Sequence, residues 1–260
     1  AILGEELKLD APAAAPGRPP ILCPGCPHRS VYYVLNKLKM HAAGDIGCYT
    51  LGNAMPLDMV DTCLCMGAGL GIAQGIGHIE PDTSCFAFVG DSTFFASAIT
   101  GVINAVYNQA NMVLVVLDNS TTAMTGHQPH PGTGRTVMGE IVQKINIEQV
   151  LRGIGVTEIE TINPLELEAS VSCVKRMAEK SGVRAIIFKA PCIAVTKPKA
   201  PLHVDQGSCI GCKKCIRDLG CPAIVMNDGK ICIDASMCTG CHLCSQVCPV
   251  CAIAGGDDHE

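Results

Sequence analysis

Two stretches decide the fold: SCFAFVGDS at residues 84–92 and MVLVVLDNST at residues 112–121. Within them, Ser84–Val89 and Met112–Leu117 are short apolar runs rich in β-branched or aromatic residues, which is typical of buried parallel strands. The segment Phe94–Gln109 between them has the pattern of a helix. A strand, a helix and a second strand in succession predict an α/β fold with a doubly wound, mainly parallel sheet.

The flanking sequence continues this alternation. Ser30–Met40 has helical spacing, and Ala185–Phe188 is a further short apolar run that predicts a strand. Asn163 is a good N-cap residue, followed by Pro at the first helical position and Glu at the third, so we predict a helix from there to about Lys180. We therefore assign residues 21–200 to one α/β domain.

Polar residues follow both deciding strands at the points where they end. Gly90-Asp91-Ser92 follows the first strand, and Asp118-Asn119-Ser120-Thr121 follows the second. Ligands of doubly wound sheets bind at the carboxyl ends of the strands, and carboxylate and amide oxygens suit Mg²⁺, which also holds phosphates. The next helix offers its N-terminus to an anion. The pattern indicates a phosphate–magnesium site, with ordinary turns after strands as the alternative.

The composition narrows the functional class. The chain has 260 residues, a net charge of −5, no Trp and eighteen Cys. No basic stripe points to nucleic acid, and the longest apolar stretch, around Leu64–Gly77, is interrupted by Gly and too short to span a membrane. Residues 1–20 predict a Pro/Ala-rich linker rather than a signal peptide. We therefore expect a reducing cytoplasm, thiols that serve metal, and a chain that is either a fragment or a processed chain.

The C-terminal region contains a cysteine repeat. After a linker at Pro191–Pro201, ten of the eighteen cysteines lie in residues 205–255, and Cys209-x2-Cys212-x2-Cys215 recurs 29 residues later as Cys238-x2-Cys241-x2-Cys244. Each triplet is followed by Cys-Pro, as in bacterial ferredoxins, where the fourth ligand comes from the other half. Residues 201–260 thus predict a small α+β ferredoxin-like domain. One [4Fe–4S] cluster is assigned to Cys209, Cys212, Cys215 and Cys248, and another to Cys238, Cys241, Cys244 and Cys221. Zinc is the competing interpretation.

The motifs of the α/β part resemble those of thiamine diphosphate enzymes, and most closely the indolepyruvate type of 2-oxoacid:ferredoxin oxidoreductases. Gly90-Asp91-Ser92 with Asn119 is similar to the Gly-Asp-Gly…Asn motif, with Ser92 in place of the third Gly. The loop Thr121–Gly134 is similar to the loop that covers the diphosphate. The resemblance implies Mg²⁺ ligands at Asp91, Asn119 and the Thr121 carbonyl. It implies cofactor contacts from Cys48, Tyr49, Thr50, Gly67, Gly90, Asp91, Ser92, Asn119, Thr121, Thr125 and Gly126.

The same resemblance implies a third cluster and a reaction. Cys23, Cys26, Cys48 and Cys192 match the ligands of a proximal [4Fe–4S] cluster beside the thiamine, with a zinc site or free thiols as alternatives. The implied activity is oxidative decarboxylation of an aryl 2-oxoacid to an acyl-CoA, with electrons passed through the clusters to ferredoxin. It also implies a pyrimidine-binding domain or subunit that completes the site, and a second subunit. A pyruvate or 2-oxoglutarate enzyme, a purely electron-transferring subunit and a zinc-binding module are the rival interpretations.

The remaining candidates carry weaker signals. We expect His28, His127 and His130 near the site, with His28 and His127 as the candidates for catalysis. Six other cysteines are predicted to be small buried hydrophobic residues: Cys63, Cys65, Cys85, Cys173, Cys232 and Cys251. The Gly-rich stretch Gly67–Gly77 does not have the spacing of a dinucleotide-binding fingerprint.

Overall fold

Five parallel strands form the central sheet in the computed structural model of the chain, which describes residue 17 and residues 19–255. Their order is β1-β2-β3-β5-β4, and every neighbouring pair is parallel. The strands are β1 (His41–Ala43), β2 (Cys85–Gly90), β3 (Met112–Asp118), β4 (Glu158–Ile162) and β5 (Val183–Lys189). In β2 and β3, Gly90 stands opposite Leu117, so the two strands end side by side.

Helices cover both faces of this sheet, which confirms the predicted doubly wound fold. Helices α1 (His28–Leu38) and α6 (Leu167–Glu179) pack on the face that carries Phe86 and Phe88. Helices α2 (Ala68–Ile79), α4 (Ile99–Tyr107) and α5 (Ile147–Ile154) pack on the opposite face, with Ala87 and Val89. Since successive side chains of a strand point to opposite faces, a continuous apolar run is what a strand buried on both sides requires.

Two predicted helices have different beginnings in the structure. The helix expected at Phe94–Gln109 begins earlier, with α3 (Asp91–Thr93) directly after β2, followed by a π-helical turn at Phe94–Ala98 and then α4. The helix expected after Asn163 begins only at Leu167, as α6. The Asn163 carboxamide accepts a hydrogen bond from the Leu165 amide at 3.1 Å, so it caps a turn rather than the helix.

Two strands had no clear sequence signal. β1 has only three residues, and β4 alternates polar and apolar side chains at the edge of the sheet. An edge strand is paired on one side only and tolerates polar residues, so it lacks the apolar run that identifies β2 and β3.

The C-terminal part has two small antiparallel sheets and two short helices. The first sheet pairs β6 (Leu202–Val204) with β9 (Ile253–Gly255), and the second pairs β7 (Ile224–Asn227) with β8 (Lys230–Ile233). The helices are α7 (Lys214–Arg217) and α8 (Leu243–Val247). Each sheet joins a strand of the first cysteine repeat to a strand of the second, so the two halves interlock.

The C-terminal part shares a hydrophobic core with α1 and α6. Gln246 joins the two parts, since its side chain accepts a hydrogen bond from the Leu167 amide at 3.0 Å and donates one to the Leu165 carbonyl at 2.8 Å. Most of the predicted linker at residues 1–20 lies outside the described residues. None of the helices in the described part of the chain is long and apolar enough to cross a membrane.

Candidate functional site

A cleft opens where β2 and β3 end. Asp91 follows β2 and Asn119 follows β3, and both side chains line this cleft together with Thr121 and Thr125. The rest of the lining comes from the start of α1, the segment before α2, the ends of β2 and β3, α3 and the loop after β3: His28, Ile46, Gly47, Cys48, Tyr49, Met66, Gly90, Ser92, Thr93, Leu117, Thr122, Ala123 and Met124. Adjacent strand ends thus bring a carboxylate and a carboxamide to one cleft.

Asp91 is a buried carboxylate with one poorly satisfied oxygen. Its Oδ1 accepts a hydrogen bond from the Ser92 amide at 2.8 Å. Its Oδ2 lies 3.1 Å from Nε2 of the buried His130, but the two atoms are not aligned for a hydrogen bond. A buried carboxylate oxygen without a hydrogen-bond donor is costly, and it is the kind of ligand that a hard cation prefers. The site therefore fits Mg²⁺.

Asn119 is oriented by a neutral histidine. Its Nδ2 lies 3.2 Å from Nε2 of His28, and its Oδ1 accepts a hydrogen bond from the Thr121 amide at 3.3 Å. Burial lowers the pKa of His28 to about 4, although the nearby Asp91 opposes the shift. The His28 ring is consequently neutral at pH 7 and accepts from the Asn119 amide, which keeps the Asn119 oxygen available as a ligand.

A buried network fixes the loop that faces these residues. The Tyr49 hydroxyl donates to Asp45 Oδ2 at 2.6 Å and accepts from the Gly90 amide at 2.9 Å. Asp45 Oδ1 accepts from the Gly67 amide at 2.7 Å. Burial and the Asp45 carboxylate raise the pKa of the Tyr49 phenol well above its usual range, so the hydroxyl stays protonated and donates. The network ties the end of β2 to the start of α2.

Four thiols lie next to the cleft. Cys48 lines it, and the Cys192 amide donates to the Asn119 carbonyl at 2.9 Å. Burial raises the pKa of the Cys48 thiol, and Cys192 and Cys23 raise it further because a second thiolate nearby disfavours another negative charge. Burial also raises the pKa of Cys26 to about 12, with smaller contributions of the same kind from Cys23 and Cys48. All four thiols of the predicted proximal set are therefore neighbours.

The tail thiols fall into two groups. Cys209, Cys212, Cys215 and Cys248 line one small pocket. Burial raises the pKa of Cys244 to about 12, and Cys241, Cys221 and Cys238 add to the shift, so these four thiols also lie close together. All eighteen cysteines are free thiols. No group of three or more His, Cys, Asp or Glu side chains in the described part of the chain converges on a single ion.

The two cysteine loops have the same backbone. Gly211 and Lys213 of the first loop have φ values of 65° and 59°, and Gly240 and His242 of the second have 67° and 59°. These left-handed residues at matching positions turn the chain tightly around each triplet. The sequence repeat is thus also a structural repeat.

Several predicted residues lie elsewhere. Thr50, Gly67 and Gly126 are not part of the cleft lining. The Thr50 hydroxyl accepts a hydrogen bond from the Gly47 amide and stabilises the turn between them. The Gly67 amide donates a hydrogen bond to the Asp45 carboxylate. His127 is exposed and does not line the cleft, but its amide donates a hydrogen bond to the carbonyl of Thr122, which does, at 2.9 Å. Its catalytic role stays a prediction. Sequence reasoning missed Asp45, whose only signal was its position in the stretch GDIGCY.

The six other cysteines differ in their exposure to solvent. Cys85 and Cys173 are fully buried, as predicted. Cys63, Cys65 and Cys251 are exposed, so their assignment to the core is wrong, while Cys232 is half-buried in β8. Cys63 and Cys65 follow β1 in an irregular segment before α2 whose backbone runs along the surface, which the sequence pattern did not reveal.

Comparisons with known proteins identify relatives of both parts. The thiamine pyrophosphate enzyme family, through its C-terminal TPP binding domain, matches residues 45–188. The chain is 41% identical to "Indolepyruvate oxidoreductase subunit IorA" of Archaeoglobus fulgidus over 97% of this chain and 42% of that protein. It is 43% identical to the subunit of the same name from Methanothermobacter thermautotrophicus, over 95% of this chain and 42% of that protein. The chain therefore spans about two fifths of the length of these curated relatives.

A solved structure has a similar fold. The 2-oxoglutarate:ferredoxin oxidoreductase of Magnetococcus marinus, determined with 2-oxoglutarate, coenzyme A and succinyl-CoA bound, superimposes with a TM-score of 0.59. The match covers 69% of this chain and 67% of that chain at 20% sequence identity, so the likeness concerns the fold alone.

Proposed function

The chain belongs to the thiamine pyrophosphate enzyme family, whose C-terminal TPP-binding domain it carries at residues 45–188, and we propose that it forms the cofactor-binding and iron–sulfur part of an indolepyruvate-type 2-oxoacid:ferredoxin oxidoreductase. The reaction is the oxidative decarboxylation of an aryl 2-oxoacid to an acyl-CoA. The observation that carries the proposal is that Asp91 and Asn119 share one cleft with Cys48. Oxygen ligands for a diphosphate-bound cation and a thiol of a predicted cluster are thereby neighbours.

The polar residues of the cleft hold the cofactor. Asp91, the Asn119 carboxamide and the Thr121 carbonyl supply oxygen ligands to Mg²⁺, which in turn holds a diphosphate. The amides at the start of α3, directly after Gly90, offer donors to the same phosphates. Bound thiamine diphosphate supplies the electron sink that decarboxylation of a 2-oxoacid requires. His28, neutral because of its burial, keeps Asn119 in its ligating orientation.

The thiols provide the route by which electrons leave the cleft. Cys23, Cys26, Cys48 and Cys192 hold a [4Fe–4S] cluster beside the cleft, and the two groups of tail thiols hold one cluster each. Thiolate groups with the ferredoxin spacing and no disulfide suit this role. Eighteen free thiols also favour a reducing compartment such as the cytoplasm.

The partners follow from the likeness to the IorA subunits. We infer a pyrimidine-binding domain or subunit, a second subunit, coenzyme A and an external ferredoxin, because those relatives are named as subunits of an oxidoreductase and the structure of similar fold is a ferredoxin oxidoreductase with coenzyme A bound. The indolepyruvate type is the substrate class that those names indicate. Pyruvate and 2-oxoglutarate are the competing substrates.

Calorimetry tests the cofactor site. With the chain reconstituted anaerobically with iron and sulfide, we expect thiamine diphosphate to bind only with Mg²⁺. Asp91→Ala should abolish this binding and leave the iron content unchanged, because the carboxylate is no thiol ligand. Asp82→Ala, at an exposed position, is the control and should bind normally. A wild-type chain that holds iron but no thiamine diphosphate would favour a purely electron-transferring subunit instead.

The substrate class is tested in the complete complex. Ferredoxin reduction with indolepyruvate, phenylpyruvate, pyruvate and 2-oxoglutarate should be fastest with an aryl acid. A preference for a non-aromatic acid contradicts the substrate assignment, and a colourless protein that binds zinc but no iron contradicts the cluster assignments.

A further inference from the structure

Arg29 is a buried arginine whose charge has no acidic partner among the described residues. Its side chain is 3% exposed and lies on α1 between the two parts of the chain. Nη1 donates to the carbonyls of Leu219 and Gly220 at 2.6 and 2.9 Å, and Nη2 donates to those of Leu22 and Cys23 at 2.6 and 3.1 Å. A buried charge is costly unless an opposite charge lies near it, so Arg29 requires an explanation.

The four carbonyls belong to loops that carry predicted cluster ligands. Cys23 is itself in the proximal set, and Gly220 directly precedes Cys221 of the second tail set. One guanidinium group thus holds the beginnings of both ligand loops. The planar fork of arginine suits this task, because its five donors have a fixed geometry that lysine lacks.

The loop of Cys23 and Cys26 also touches the loop of Cys238 and Cys241, which belongs to the same tail set as Cys221. A Cβ atom added at Gly25, between Cys23 and Cys26, would lie only 1.9 Å from Oγ1 of Thr239, between Cys238 and Cys241. Glycine at position 25 therefore allows the two loops to pack back to back. The set of Cys221, Cys238, Cys241 and Cys244 is consequently the tail set that adjoins the predicted proximal set.

The Arg29 charge lies beside both sets of thiols. Its Nη2 donates to the carbonyl of Cys23 itself at 3.1 Å, and its Nη1 donates at 2.9 Å to the carbonyl of Gly220, the residue directly before Cys221. A positive charge so close to both sets favours the more negative, reduced state of any redox group bound there.

We propose that Arg29 is the positioning residue between the proximal cluster and its neighbouring tail cluster, where it fixes their separation and raises both reduction potentials. The inference rests on the proposed function, because it requires clusters at both sets of thiols. It explains why a cation is buried at this place: the thiolate-bound clusters are its counter-charges.

Redox titration followed by electron paramagnetic resonance tests the proposal. The chain is reconstituted anaerobically with iron and sulfide as wild type, Arg29→Gln, Arg29→Lys and Arg184→Gln. Arg184 is the matched control: it is fully buried and also binds carbonyl groups, Met177 at 3.1 Å among them. It lies at the amino end of β5, whereas the cleft lies at the carboxyl ends of the strands.

We expect Arg29→Gln to lower the potentials of the two flanking clusters by about 59 mV, which corresponds to a tenfold change for a one-electron couple. The third cluster of Arg29→Gln should keep its wild-type potential, and so should all three clusters of Arg184→Gln. Arg29→Lys, which keeps the charge without the fork, should lie closer to wild type in potential but weaken the spin coupling between the flanking clusters.

The outcomes separate this inference from the proposed function. A wild-type chain with far fewer than about twelve irons, the content of three [4Fe–4S] clusters, contradicts the cluster assignments. With full iron in wild type, loss of the two flanking clusters in Arg29→Gln but not in Arg184→Gln supports the positioning role. Unchanged potentials and coupling in an iron-replete Arg29→Gln overturn the inference, as do equal shifts in the Arg29 and Arg184 variants.

Discussion

Replacing Tyr49 by Phe removes a single oxygen from the buried network beside the cleft. That oxygen donates to the Asp45 carboxylate at 2.6 Å and accepts from the Gly90 amide at 2.9 Å. Both partners are buried, so water cannot readily replace the lost contacts. Gly90 immediately precedes Asp91, so the substitution also loosens the backbone that presents the proposed magnesium ligand.

The size of the effect follows from these two hydrogen bonds. A hydrogen bond to a charged group contributes about 1.5–3 kcal/mol, and leaving a buried donor unpaired costs about 1–3 kcal/mol. Since both losses arise from one atom and the ring remains, we expect the free energy of unfolding to decrease by about 3 kcal/mol. For a chain of this size, that corresponds to a decrease in Tm of roughly 6–12 °C.

Urea denaturation followed by circular dichroism measures this loss. Tyr32→Phe is the matched control, because the Tyr32 hydroxyl is fully buried but has no hydrogen-bond partner among the described residues. Its removal should be neutral or slightly stabilising. Calorimetry should also show weaker Mg²⁺-dependent binding of thiamine diphosphate in Tyr49→Phe only. Equal destabilisation by the two substitutions, or unchanged stability of Tyr49→Phe, would refute the reasoning.

Two further predictions concern packing and pH. Gly69→Ala should destabilise the chain by about 1–3 kcal/mol, because the added Cβ would lie 2.5 Å from the Gly44 carbonyl oxygen. Gly71→Ala on the same helix is the control: its Cβ would meet nothing within 4 Å, so it should be neutral or stabilising. Thermal unfolding of both variants checks this. Burial lowers the folded-state pKa of His28 from 6.5 to about 4. Below pH 6.5 the unfolded chain therefore binds a proton that the folded chain does not. As the pH falls from 6.5 toward 4, the free energy of unfolding should decrease by about 3 kcal/mol. In the apo chain, His28→Gln should flatten the decline in stability over that interval relative to wild type, and parallel pH profiles would contradict it.

The parts of the fold that could be predicted are those in which local pattern and tertiary role coincide. β2 and β3 are buried on both faces, so a continuous apolar run identifies each of them. The edge strand β4 needs no such run and was missed. The start of α6 was misplaced because Asn163 can satisfy a turn as readily as a helix N-terminus, and the contacts of Gln246 at Leu165 and Leu167 decide between them.

The residues of the candidate site likewise include some that the sequence could predict and some that it could not. Asp91 and Asn119 could be predicted, because parallel strands bring their carboxyl ends to one edge. Asp45 and Arg29 could not, since each acts on a group distant in sequence: Asp45 on the Gly67 amide, 22 residues away, and Arg29 on carbonyls about 190 residues away. A single sequence carries no record of such pairs.

The sequence by itself determined the layered α/β class, the repeat of the cysteine triplets and the polar residues at two strand ends, because each of these depends on spacing along the chain. Only the tertiary structure decided which strands are neighbours, which thiols face the cleft and which buried groups lack a partner. Those features depend on distances between segments far apart in sequence, and such distances are fixed only when the helices, the sheet and the cysteine loops pack around a common core.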